Sequence, residues 1–295
     1  MKNTSILSRR WQKFKTLKRG YYSLIILLSL YILSFFLPLL INNKALIVKY
    51  DGNYYFPIIT GFVSGEVFGQ DVPGEARYRK LKSAFKEDLN SSNWVLLPPY
   101  PYSPYEDITY DGNKMYESPS SLHWLGTDNT GRDVFARLCY AFNISISFAL
   151  ILTIINYIVG ILIGGAMGYY GGKFDLIFQR LIEVWSSLPM LFVIIIISSI
   201  LKPSFFLLIG IYTLVNWISM TYLIRAEFYR EKAKPYVAAA LSMGQSNFKI
   251  MFKHILANSL VPIITYFPFS VVAGISALVG LDYLGFGLAP PTPSW

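Results

Sequence analysis

Residues 138–172 read LCYAFNISISFALILTIINYIVGILIGGAMGYYGG, 35 positions without a single Asp, Glu, Lys or Arg. At 1.5 Å per residue a helix through this run exceeds the roughly 30 Å hydrocarbon core of a bilayer, so it predicts a membrane span. Within it Gly160, Gly164, Gly165 and Gly168 recur at i, i+4, i+5 and i+8. That spacing makes a small-residue face on which a second helix backbone can approach closely.

Working outward, four more apolar runs are long enough to span: 21–41, 184–201, 203–224 and 255–281. The composition agrees. Of 295 residues, 54% are hydrophobic and only 15% charged, against roughly a quarter charged in soluble domains. Aromatics at 17% suit a chain with several membrane–water boundaries to anchor. The first run is longer than the core of a signal peptide and ends Leu37-Pro38-Leu39-Leu40-Ile41 without an Ala-x-Ala site, so it predicts a retained span.

The net charge of +9 is explained by where the charges sit. Residues 1–20 carry Lys2, Arg9, Arg10, Lys13, Lys15, Lys18 and Arg19 and no acid. Residues 225–254 carry Arg225, Arg230, Lys232, Lys234, Lys249 and Lys253 against Glu227 and Glu231. By the positive-inside rule both segments, with 171–180, face the cytoplasm. The positive charge therefore reports topology and lipid contact rather than nucleic acid.

The segment 42–137 falls outside, rich in Tyr, Pro, Gly and Asn. Residues 48–58 have hairpin content with Asp51-Gly52-Asn53 at the turn, and 75–89 reads as a short amphipathic helix. Gly171-Gly172-Lys173 predicts a tight inner turn, and Lys202-Pro203 an outer one. The expected fold is an all-α polytopic membrane protein with five spans and an extracytoplasmic insertion after the first. Residues 282–295 are an outer loop with no element after them, which reads as a truncated end.

The long inner loop, 225–256, is the most informative. Pro235 and Gly244 frame a short helix over 236–243, whose Ala238-Ala239-Ala240 gives a low face for close approach to another protein. Ser246 can cap a second helix with Phe248, Met251, Phe252, Ile255 and Leu256 on one side. Periodicity alone leaves two readings of this hairpin open: a docking knob, or an interfacial element resting on lipid. Near the second span, Gly126 and Gly131 permit turns, while Asp128, Arg132 and Asp133 can pair; a hydrogen-bonded turn that fixes the helix entry angle is favoured over ligand contact. An Arg180–Glu183 pair is expected at the interface.

Enzyme chemistry finds no foothold. The single cysteine, Cys139, excludes an intramolecular disulfide, and His123 and His254 are too far apart for a local zinc motif. Gly172-Lys173 is followed by Phe174 and preceded by Met167 where a phosphate-binding loop needs glycine. The chain is not expected to be an enzyme or to bind a cofactor.

Two motifs carry a resemblance. Ala239-Ala240, Gly244, and then His254-Ile255-Leu256-Ala257-Asn258 resemble the EAA loop of ABC importer permeases, with Ala238 at the usual Glu position and Ala257 at the usual Pro. His123-Trp124-Leu125-Gly126-Thr127-Asp128, Gly131-Arg132-Asp133, Arg137 and Tyr140 are similar to the signature of the C-type permease of dipeptide and oligopeptide importers. Gly168-Tyr169-Tyr170-Gly171-Gly172, Asp175, Arg180, Pro189 and the run Leu281-Asp282-Tyr283-Leu284-Gly285-Phe286-Gly287-Leu288 extend the likeness over about 122–295. Val48-Lys49-Tyr50-Asp51-Gly52-Asn53-Tyr54-Tyr55-Phe56-Pro57 looks like the Yej-type subgroup.

The resemblance implies a permease subunit in a bacterial inner membrane, N-terminus cytoplasmic, forming half of a peptide pathway. Its implied partners are a B-type permease, cytoplasmic ABC ATPase subunits that use ATP and Mg, an extracytoplasmic peptide-binding protein and lipid. The family normally has six spans. Tyr236, Ala238, Ala239, Ala240, Gly244, Phe248, His254, Leu256 and Asn258 become the ATPase-coupling residues. Gly126, Thr127, Asp128, Gly131, Arg132, Asp133, Gly171, Gly172 and Asp175 become the structural signature. The competing readings are a secondary transporter, disfavoured by the lack of midmembrane charge, and a membrane-anchored extracytoplasmic binding protein, disfavoured by the glycine face and the inner loop.

Overall fold

The computed structural model describes residues 6–71, 74–88, 92–106 and 115–295. Lys2 of the basic tail and Leu89 of the expected outer helix lie outside them. Two compact units emerge, one reaching residue 143 and the other starting at residue 144.

The first unit opens with helices α1 (Ile6–Thr16), α2 (Lys18–Ser34) and the single turn α3 (Leu37–Leu40). The run 21–41 is thus not one continuous helix. Phe35 and Phe36 form a turn before Pro38, which sits in the first turn of α3, where its missing N–H is harmless. With 17 residues α2 rises about 25 Å.

The hairpin at Asp51-Gly52-Asn53 forms as the sequence predicts. Strands β1 (Ile47–Tyr50) and β2 (Asn53–Tyr55) pair antiparallel with Tyr50 opposite Asn53. Asp51 and Gly52 between them both have positive φ, 48° and 80°, as a two-residue type I′ turn requires. The chain continues through α4 (Pro57–Thr60) and α5 (Tyr78–Glu87) to β3 (Trp94–Leu96), which pairs with the free side of β1. The sheet order is β2-β1-β3, over a core of Val48, Phe68, Tyr78, Leu81 and Val95. Three residues are too few to show a period, so β3 was not legible in the sequence.

The division between the units falls within α6 (Val134–Tyr170), a 37-residue helix. The second unit continues with α7 (Gly172–Ser186), α8 (Met190–Ile200) and α9 (Phe205–Lys232). Next come α10 (Pro235–Ser242), α11 (Asn247–Lys249), a π-helical stretch Ile250–Ile255, α12 (Leu256–Asn258) and α13 (Leu260–Tyr283). Among the described residues, α6, α9 and α13 are long and apolar enough to span, and α7 with α8 makes a fourth, broken candidate bent by 66°.

Three expected boundaries are corrected. The span at 184–201 is the second half of the bent pair: Pro189 cannot donate and disfavours helix before it, so the chain breaks between Ser186 and Met190. Gly171 and Gly172 do turn, with φ of 66° and 52°, but α7 starts at once rather than after a loop. Residues 225–232 are not loop; α9 carries its helix on through the charged residues to Lys232.

The glycine face of α6 packs on α9. A methyl group on Gly164 would lie 2.3 Å from the Thr221 carbonyl oxygen, and one on Gly168 2.6 Å from that of Arg225. Gly160 and Gly165 face Met220 and Phe228 in the same way. In lipid no hydrophobic drive brings helices together, so this backbone-to-backbone approach is what holds the pair.

Candidate functional site

At the start of α6 the signature residues build a rigid entry. Asp133 is fully buried; its Oδ1 accepts from the Ala136 N–H at 2.7 Å and so caps the helix. Its Oδ2 accepts from the Tyr100 hydroxyl at 2.6 Å and lies 2.8 Å from His123 Nδ1. The expected partner for Asp133, an arginine, is therefore replaced by a phenol and an imidazole. Burial, then the bond to Asp133, raises the Tyr100 phenol above its ordinary value. Asp128 does pair as expected: Oδ2 sits 3.0 Å from Arg132 Nε and 3.6 Å from Arg137 Nε, while Oδ1 takes the N–H groups of Thr130 and Arg132. Burial pushes its carboxyl up, but these bonds outweigh it and hold it below the usual carboxylate value. The Thr127 hydroxyl accepts from the Glu117 N–H, and Gly126, at φ 76°, leaves no room for a Cβ, which would sit 2.2 Å from the Glu117 carbonyl oxygen. Gly131 has φ 75° and donates to the Asp128 carbonyl.

In the second unit, Asp175 of α7 is buried and takes both Nε and Nη2 of Arg225, at 2.5 and 2.6 Å. The Tyr229 hydroxyl and the Gln179 amide complete its shell. This two-pronged pair ties α7 to α9 across fifty residues of sequence. Arg180 and Glu183 pair as expected, 2.6 Å apart and exposed.

The helical hairpin after α9 follows. Pro235 starts α10, and Gly244, at φ 70°, ends it by donating to the Leu241 carbonyl while Gln245 donates to that of Ala240. Val237 and Ala240 are buried against the chain itself; Ala238 and Ala239 are exposed. So Ala240 anchors the helix rather than facing outward. Tyr236 is also an anchor: its hydroxyl donates to Glu231 Oε2 at 2.8 Å, and Lys234 holds Oε1 at 2.6 Å. Glu231 is 2% exposed. Burial and that bond push the Tyr236 phenol up to about 12.

Beyond Gly244 the second helix departs from the expected period. Ser246 takes the cap position without a capping bond from its side chain. The π-helical stretch widens the turn, so that i and i+5 share a face. Ile250, Met251 and Ile255 are buried, Phe252 and Leu256 are half-buried, and Phe248 is 72% exposed. Phe248 thus leaves the inner face that an α-helical count assigns to it and stands outward; Met243 is likewise 69% exposed. His254 Nε2 lies 2.7 Å from Gln245 Oε1, and Asn258 donates to the His254 carbonyl, closing the loop on itself. Tyr169 bonds Asn247, and Lys232 bonds the Tyr169 carbonyl, fixing the knob to the end of α6.

The sequence marked the short helix after Pro235 and the turn through Gly126 and Gly131, but not the Asp175–Arg225 pair or the Glu231 latch. Glu231 lies in a run of surface-like charges, with nothing to mark it as buried. Asp175 and Arg225 are too distant for any local pattern. In the final segment, Asp282 Oδ1 accepts from the Leu288 N–H at 2.7 Å, and Gly287 lies so close to that carboxylate that any side chain would collide with it. That explains the spacing of Asp282-Tyr283-Leu284-Gly285-Phe286-Gly287. Between α6, α9 and α13 lies a cleft of about 540 Å³.

Residues 160–295 match the family described as binding-protein-dependent transport system inner membrane component. Over 286 residues the chain is 41% identical to the inner membrane ABC transporter permease protein YejE of Escherichia coli (strain K12), covering 97% of this chain and 83% of that one. It is 38% identical over 314 residues to the peptidoglycan transport system permease protein YejE of Agrobacterium fabrum, covering 97% and 80%. The dipeptide transport system permease protein DppC of Bacillus subtilis is 34% identical over 193 residues, covering 65% and 60%. The chain thus belongs to the binding-protein-dependent transport system inner membrane components, the permease subunits of ABC importers.

Proposed function

We propose that this permease is the C-type subunit of a Yej-type peptide importer, paired with a B-type permease to form half of the pathway. Residues 1–20 and 225–254 face the cytoplasm and 42–137 the outside; the chain binds no cofactor, and ATP and Mg are used by the partner ATPase. Permeases of this family work with an ATPase and an extracytoplasmic binding protein, and α10 is the element that meets the ATPase. The observation that carries this reading is the division of α10 into two faces. Val237 and Ala240 are buried in one cluster with Ile224 and Phe228 of α9 and Ile250 and Ile255 of the π-helical stretch, and Tyr236 bonds Glu231 at the end of α9, while Ala238, Ala239, Met243 and Phe248 stay exposed. The exposed face is thus joined to α9 through that buried cluster. The peptide substrate is supported by relatives named for dipeptide and oligopeptide transport.

The test is recovery of the ATPase on the tagged permease from membranes. Gly244→Asp forces a side chain into φ 70°, at about 1–2 kcal/mol, and unwinds the end of α10. Ala239→Asp sets a charge in the docking face. Both are expected to insert normally and to lose the ATPase. Recovery at wild-type yield with both variants refutes the docking role.

A further inference from the structure

The cleft between α6, α9 and α13 holds a buried acceptor that nothing among the described residues satisfies. Asn156 is 7% exposed and its Oδ1 has no hydrogen-bond partner. An unmet buried acceptor is costly, and the cost is recovered when a donor arrives. Thr153, 2% exposed, stands one turn before it; Asn216 and Ser219 of α9 and Ser270 of α13 line the same space. The Tyr157 hydroxyl and Ser270 already bond each other at 2.8 Å, which leaves Asn156 as the open position.

Depth and charge narrow what fits. The cleft residues lie near the middle of each helix: 152–157 in α6, 212–226 in α9 and 266–277 in α13. That is midmembrane, where a charged ligand group needs a countercharge. Among the described residues no charged side chain lines the cleft. Amides, hydroxyls and tyrosine rings do, at a volume ordinary for small-ligand sites. Such a lining admits an uncharged, polar stretch of ligand, and Asn156 Oδ1 asks that stretch for a donor.

We propose that Asn156 is a contact for a secondary amide N–H of the transported ligand, made at midmembrane with Asn216 and Ser219 beside it. This rests on the importer reading above. Two ligand sources share that chemistry, the backbone of a peptide and the acetamido group of an N-acetyl amino sugar.

The experiment uses the complete importer, with partner permease, ATPase and binding protein, in proteoliposomes. ATP-driven uptake of trialanine is compared with that of its backbone N-methylated analogue, for wild type and Asn156→Leu. The binding protein is common to both, so its own preference cancels in the ratio of ratios. The N–H preference should fall about tenfold in Asn156→Leu, the factor one lost hydrogen bond in a buried site removes. The N-acetylglucosamine disaccharide is run in parallel; a loss confined to it assigns the contact to an amino sugar, and a loss confined to trialanine assigns it to peptide. In case Asn156→Leu does not assemble, Ser219→Cys in a Cys139→Ala background is labelled with a maleimide during turnover, and the transported probe should slow the labelling several-fold. An N–H preference unchanged for trialanine together with unchanged uptake of the disaccharide, or labelling that no probe slows, overturns the contact while leaving the importer intact. Failure of the wild-type importer to take up any probe overturns the importer reading and this inference with it.

Discussion

A single methyl group at Gly164 tests whether the α6–α9 approach holds the spans together. Built onto the backbone, that carbon lies 2.3 Å from the Thr221 carbonyl oxygen and 3.0 Å from its carbonyl carbon and Cα. Unstrained carbon–oxygen contacts begin at about 3.3 Å, so the helices must part by roughly 1 Å. The obstacle is backbone, and no rotamer change relieves it. Overpacking of this kind costs about 1–3 kcal/mol, against up to about 1 kcal/mol gained from replacing glycine within a helix. Gly210→Ala supplies the control: it lies in α9, and a Cβ there meets nothing within 4 Å. Subtracting one variant from the other removes the propensity gain and leaves the packing cost, about 2 kcal/mol, or about 4–8 °C in Tm on the scale of a domain this size. The assay is thermal unfolding of the purified chain in one detergent, followed by tryptophan fluorescence. If Gly164→Ala melts at or above Gly210→Ala, close glycine packing is not what joins α6 to α9.

Other consequences are equally open to measurement. Asp175→Asn should lower stability by about 2–3 kcal/mol, less than for a fully buried pair because the Arg225 side chain is 25% exposed, and Arg225→Gln on top should recover part of the loss in the same melting assay. In intact cells, an outside-only thiol reagent should label Asn53→Cys and not Lys232→Cys; labelling of Lys232→Cys would invert the proposed topology. Asp128 is held below its ordinary value, so its contribution to the first unit is full above the usual carboxylate range and is lost as pH falls from there through the lowered value. Asp128→Asn should therefore flatten the acid side of a stability–pH curve, and an unchanged curve would remove Asp128 from that role.

Elements that depend on neighbours in the chain were legible. Charge-free runs report spans because the bilayer admits little else, and Asp51-Gly52 reports a hairpin because few residue pairs accept two positive φ angles in succession. Pro235 and Gly244 framed α10 for the same local reason, and Gly160, Gly164, Gly165 and Gly168 announced a close-packed face through their spacing alone. What escaped was set by partners far away in sequence or by departures from a regular period. The π-helical stretch shifts Phe248 outward because its hydrogen bonds are longer by one residue, which no α-helical count anticipates. Pro189 turned one expected span into a bent pair whose first half, α7, carries Asp175 into the contact with α9. Asp175 needed Arg225, Asp133 needed Tyr100 and His123, and Glu231 needed Tyr236 after a turn. Asn156 reads in the sequence as one polar residue in an apolar helix; only the packing of three helices leaves its oxygen without a donor. Local chemistry is written along the chain, whereas the pairing of buried polar groups is decided by which backbones the tertiary fold brings within 3 Å.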